Sequence, residues 1–164
     1  MLRTISAARR GLERLLETFC IFLMVSLAVV VLSAVVARKA GYSFSWYDEI
    51  ASIMLAWLTF YGSALAALKR AHLGFPGISG RLAPAGRIAV LLLSEALVVV
   101  FFLAVAWSGW RVLVLLEGDT LISLPWISVQ LSQSVIPIGA VLFVAAELLT
   151  LPEQLRSARE GAQP

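Results

Sequence analysis

The sequence predicts an all-α integral membrane protein: four tilted transmembrane helices, both termini inside, and a short amphipathic N-terminal segment. Three observations carry this. Of 164 residues, 60% are hydrophobic and 14% charged, with a mean hydropathy of +0.92. A soluble domain holds roughly 45–50% apolar and about 25% charged residues. The apolar residues gather into four runs of the length a helix needs, about 20 residues for ~30 Å of hydrocarbon. Those runs are continuous rather than alternating, unlike the strands of a membrane β-barrel. Disorder, which requires low hydrophobicity and high charge, is excluded as well. The chain reads as one membrane domain, 1–164, with spans at about 18–37, 49–69, 88–112 and 126–148.

Ahead of the first span, Ile5, Ala8, Leu12, Leu15, Leu16 and Phe19 fall near one helical face, and Arg9, Arg10, Glu13, Arg14 and Glu17 fill much of the rest. Two readings stand: an amphipathic helix on the inner membrane surface running into the span, or a basic tail that only sets orientation. The first span has 20 uncharged residues, 18–37. That run exceeds the 7–15 residues of a signal-peptide core, so the reading is an uncleaved anchor.

The first loop ends in Ser45-Trp46-Tyr47-Asp48-Glu49. Ser45 followed by Asp48 predicts a capping box, with Asp48 and Glu49 in the first helical turn, where the dipole favours negative charge. Trp46 and Tyr47 suit an interfacial aromatic belt. The second span, 50–68, carries no charge and is closed by Lys69 and Arg70. The following loop holds Gly74, Pro76, Gly77, Gly80, Pro84 and Gly86, so it is not one regular helix; Leu73, Phe75, Ile78 and Leu82 suit the membrane surface.

The third span begins near Ile88 and extends toward Leu116, where Gly118-Asp119 stops it. It contains Glu95, roughly 12 Å of rise from Ile88. An ionisable residue at that depth is a functional candidate. It pairs with a base of another subunit, carries a proton, stays neutral, or is brought by tilt to the inner interface. Glu147 falls at the inner end of the fourth span. That span is expected to open at Pro125-Trp126. Pro137 inside it removes a hydrogen bond and predicts a kink. With Gly139 it marks a close-packing surface in preference to a broken-helix substrate site.

Direction follows from Lys and Arg. Arg3, Arg9, Arg10, Arg14, Lys69, Arg70, Arg81, Arg87, Arg156 and Arg159 lie on one side, against Arg38, Lys39 and Arg111 on the other. The positive-inside rule puts both termini in the cytoplasm. The sequence has one cysteine, Cys20, read as a small buried hydrophobe, and one histidine, His72. No metal-ligand spacing, nucleophile–base pair or phosphate-binding glycine loop is present, and no paired carboxylates are expected inside the spans. Four such apolar helices lack the polar lining of a conduit. They suit a component that packs against something larger.

Ser45-Trp46-Tyr47-Asp48-Glu49-Ile50-Ala51 leads on to Trp57-Leu58-Thr59-Phe60-Tyr61-Gly62-Ser63-Ala64, then Lys69-Arg70-Ala71-His72. Ser123-Leu124-Pro125-Trp126 and Ile136-Pro137-Ile138-Gly139 follow in order. This series resembles the small membrane subunit of TRAP (tripartite ATP-independent periplasmic) transporters, the DctQ-like family, over nearly the whole chain. Two departures are Ser52, where many members are basic, and Leu73-Gly74-Phe75-Pro76, where many have an acid.

The resemblance implies a non-enzymatic, cofactor-free scaffold in the bacterial inner membrane. Its partners would be a large transport subunit, a periplasmic substrate-binding protein and membrane lipids, with no nucleic acid. The system would take up an organic acid with sodium. Trp46, Asp48, Glu49, Arg70, His72, Glu95, Trp126 and Pro137 are the candidates for subunit contact or topology. The competing reading is a free-standing small membrane enzyme or proton-conducting protein that uses Glu95.

Overall fold

The computed structural model describes residues 2–69 and 84–160. Five helices are present among them: α1 (Leu2–Lys39), α2 (Tyr47–Leu68), α3 (Pro84–Leu115), α4 (Val129–Gln133) and α5 (Val135–Glu160). Four helical stretches are long and apolar enough to cross a membrane: Arg9–Lys39, Tyr47–Leu68, Gly86–Leu115 and Val129–Arg156. The fold is all-α, with four spans, as the hydropathy predicts. Arg70 and His72, and the loop containing Leu73, Phe75, Ile78 and Leu82, lie outside the described residues.

The N-terminal segment and the first span are one unbroken helix. At 38 residues, α1 is about 57 Å long at 1.5 Å per residue. Part of the apolar face expected on the membrane surface is used internally, while Leu15 stays exposed and the side chains of Ile5 and Ala8 lie outside the described residues. Leu16 is fully buried against Ala64, Ala67 and Leu68 of α2 and Phe143 and Ala146 of α5, and Leu12 packs beside it. Two polar contacts pin the same stretch. Arg9 pairs with Glu153 at 2.7 Å and donates to the Leu68 carbonyl at 2.7 Å. Lys69 pairs with Glu17 at 3.0 Å. The Leu68 carbonyl belongs to the last turn of α2, which has no intrahelical partner, so Arg9 also caps that helix.

Packing runs in a row. α1 packs on α2, α2 on α5, and α5 on α3, while α1 and α5 touch only marginally. The middle helices therefore hold most of the buried surface, and each edge helix keeps an outward face. Half of the most apolar stretch of α5 is buried, against none of that of α3.

One expectation about the fourth span is corrected. The helix does not open at Trp126. Residues 116–128 form a compact loop, and α4 starts only at Val129, capped by the Ser128 side chain on the Gln130 N–H at 3.1 Å. Pro137 interrupts the hydrogen-bond ladder of this span, as its chemistry predicts. The helix is divided between Gln133 and Val135. The cause is the bond Pro137 cannot make, because its missing N–H would have met the Gln133 carbonyl four residues back. Pro137 thus sits in the first turn of α5, where no such donor is needed.

The Pro-x-Gly segment is a packing surface. A Cβ on Gly139 would lie 2.7 Å from Cβ of Phe60, so α2 and α5 can approach this closely only with glycine there. A Cβ on Gly109 of α3 would lie 3.0 Å from both Ile136 and Pro137. Pro137 is buried between the two helices. Next along the same seam, the Phe102 and Phe143 rings stack with centroids 3.9 Å apart.

Candidate functional site

At the end where α1 stops and α2 starts, the sequence candidates converge. The turn after α1 uses Gly41 at a φ of 86°. Such left-handed backbone costs little only for glycine. Arg38 donates to the Tyr47 hydroxyl, and the Phe44 and Trp46 rings lie 5.5 Å apart. The capping box expected from Ser45 does not form. Trp46 is the N-cap, and no side chain caps the helix. The Ser45 carbonyl instead accepts from the Ser123 hydroxyl at 3.3 Å.

Asp48 and Glu49 do occupy the first turn of α2, but among the described residues only the Glu49 side chain is engaged in hydrogen bonds. Its two carboxylate oxygens accept the backbone N–H groups of Ile122 at 3.2 Å and Ser123 at 2.9 Å. Charge-assisted bonds of this kind are about twice as strong as neutral ones. Glu49 therefore ties the loop before α4 to the start of α2. The loop is further closed on itself: Leu121 N–H donates to the Ile127 carbonyl at 3.0 Å and Val129 N–H to the Asp119 carbonyl at 3.0 Å. Leu121 and Leu124 turn inward, while Ile122 is 94% exposed and Trp126 78% exposed. Trp126 is thus a projecting loop residue, not the opening of a helix. Beside this loop is an open cleft of about 530 Å³ lined by Asp48, Glu49, Ser52, Thr120, Ser132 and Gln133 among others.

Aromatic residues connect the cleft to the helix row. Trp57 Nε1 donates to the Ser132 carbonyl at 3.0 Å, at the divided helix. Phe19 of α1 meets Tyr61 of α2 edge-on at 4.9 Å. The Trp57 and Tyr61 of the motif thus brace α2 against both neighbours.

Glu95 and Glu147 form a second constellation. Glu147 is buried, with 7% of its surface accessible. It faces Glu95 across the α3–α5 contact. The spans therefore do bring two carboxylates together, contrary to the sequence reading. One oxygen of Glu95, Oε1, is closed to solvent and has no hydrogen-bond partner among the described residues. Nearby, Thr150 donates to the Glu147 carbonyl at 3.0 Å and accepts from Gln154 at 3.2 Å. Sequence reasoning missed this pairing because the two acids are 52 positions apart and only the α3–α5 packing aligns them.

With this geometry in hand, one comparison is decisive. The profile of the DctQ component of tripartite ATP-independent periplasmic transporters matches residues 27–157. The chain belongs to the DctQ family. No curated protein matches it. The match runs from inside α1 to near the end of α5, so it covers the later part of the first span, the other three spans, the Glu49-bound loop and both acids of the second constellation. This DctQ protein is a multi-pass membrane component of a TRAP transporter.

Proposed function

We propose that this DctQ chain is the scaffold subunit of its transporter, seated in the bacterial inner membrane with both termini cytoplasmic. It packs against the large transport subunit and helps dock the periplasmic binding protein during sodium-coupled uptake of an organic acid. The observation that carries the reading is the open row of helices. The edge helix α3, with an apolar outward face, leaves a lipid-like surface that a larger membrane protein can cover. The loop bound by Glu49, with Ile122 and Trp126 projecting, is the platform offered to the binding protein.

Coexpression tests this. The chain made with the large subunit should be recovered as a stable complex, and made alone it should be degraded or aggregate. A monodisperse, long-lived solitary form in detergent would sink the scaffold reading. Uptake in proteoliposomes should require all three components. The competing reading, proton conduction through Glu95, predicts proton flux from the purified chain alone that Glu95→Gln abolishes; the scaffold predicts no flux from that chain.

A further inference from the structure

The exposed edge of α1 carries a feature that the scaffold role does not use. At about 100° of rotation per residue, Arg10, Arg14, Ile21, Val25, Val29 and Leu32 fall within an arc of about 100° on one side of the helix. All six are exposed. The side chains that face the other way, Leu16, Leu23 and Ala34, are buried. The outward arc is therefore a long apolar track headed by two arginines one turn apart. Arg14 stands about 6 Å of rise before Thr18, where the uncharged run begins, and Arg10 about 12 Å.

Two of the neighbouring charges are already committed. Arg9 turns inward to Glu153 and the Leu68 carbonyl. Glu17, the acid nearest the arc, is paired with Lys69. Glu13 lies to the side of it. Among the described residues, neither Arg10 nor Arg14 takes part in an ion pair. Two uncommitted guanidiniums above a hydrocarbon track match an anionic phospholipid in charge and in shape. The phosphate would sit between two forked donors, and the acyl chains would lie along Ile21, Val25 and Val29.

We infer that Arg10 and Arg14 form a binding site for one anionic phospholipid headgroup on the outward face of α1. The inference does not rest on the scaffold reading and would hold for any function of the chain. It assigns this edge of the row to lipid and leaves the α3 edge for a protein partner. A basic residue near an anionic membrane surface is worth about a five-fold preference, and two about twenty-five-fold.

The full chain reconstituted in nanodiscs of equal phosphatidylglycerol and phosphatidylcholine, then released into a mass spectrometer, gives the retained lipid directly. The expected result is retention of phosphatidylglycerol over phosphatidylcholine by an order of magnitude. The double variant Arg10→Gln with Arg14→Gln should lose that preference, while Arg111→Gln, an exposed arginine on α3, should keep it. Equal helicity by circular dichroism establishes that the double variant is folded. Equal retention of both lipids by the wild type, or an undiminished preference in the double variant, would overturn the inference. So would arginine-specific labelling in native membranes that reaches Arg10 and Arg14 until the large subunit is coexpressed, because that would show a protein on this face.

Discussion

Glu49 does more for this protein than its sequence neighbours suggest, and the adjacent Asp48 measures the difference. Both acids stand in the first turn of α2, where the helix dipole favours either one equally. Only Glu49 accepts two backbone N–H groups from a loop more than 70 positions away. Glu49→Ala should therefore lower the unfolding midpoint by removing both acceptors that hold the loop. Asp48→Ala should stay within about 0.5 kcal/mol. Thermal unfolding midpoints in detergent compare the two, and limited proteolysis between residues 116 and 128 should quicken in the Glu49 variant alone. Glycine allows the same kind of contrast. Gly139→Ala drives a methyl into Phe60, where 2.7 Å separates the Cβ positions, and overpacking of this kind costs about 1–3 kcal/mol. Gly62 has open space around its missing Cβ. Gly62→Ala should be neutral or stabilise by up to about 1 kcal/mol through helix propensity. If both glycine variants melt together, the close approach of α2 and α5 is wrong.

The helices show what was legible in the sequence. Hydropathy located all four spans, because a membrane helix must satisfy its own backbone and the signal is therefore local. Proline chemistry located the break in the fourth span to within a turn, since Pro137 removes one identifiable bond. The motif around Trp57 and the Pro-x-Gly pointed correctly to the family and to packing. What stayed hidden depends on contacts between distant segments: Glu49 with Ile122 and Ser123, Glu95 with Glu147, Leu16 with Phe143. The same cause explains the misreading of Trp126. Residues 120–127 are uncharged and resemble the start of a span, but the loop closes through hydrogen bonds that no periodicity announces. The N-terminal turns of α1 illustrate this at the element scale. Their amphipathic pattern is equally that of a surface helix, and it is the burial of Leu16, with Arg9 and its two partners, that decides for docking onto α2 and α5. Arg9→Ala should raise hydrogen exchange across residues 9–16 while leaving the apolar part of α1 protected. Glu153→Gln should do so less, because Arg9 keeps the Leu68 carbonyl and a half-exposed ion pair contributes only ~0–1 kcal/mol. Equal exchange in the two variants would mean that the carbonyl contact carries no weight.

At the scale of the molecule, the row α1–α2–α5–α3 decides which partners the protein can have. A closed four-helix bundle buries one stripe of each helix and shows lipid a uniform surface. An open row cannot, because its terminal helices lack a neighbour on one side. In water such a fold would be penalised by its exposed apolar area, but lipid removes that penalty and leaves only packing and polar contacts to favour association. Two opposite edges are thus free to serve different surroundings, one headed by arginines and one flanked by the buried carboxylates. Cysteine cross-linking in a Cys20→Ser background separates the row from the bundle. Phe60→Cys with Gly139→Cys should join α2 to α5 with high yield. Their Cβ positions are close enough that a slight opening, eased by loss of the ring, reaches the 3.5–4.5 Å of a disulfide. Val29→Cys with Leu97→Cys, on the outward faces of α1 and α3, should give no product within one chain. An efficient α1–α3 link would close the bundle, remove both free edges, and with them the surface on which a scaffold must work.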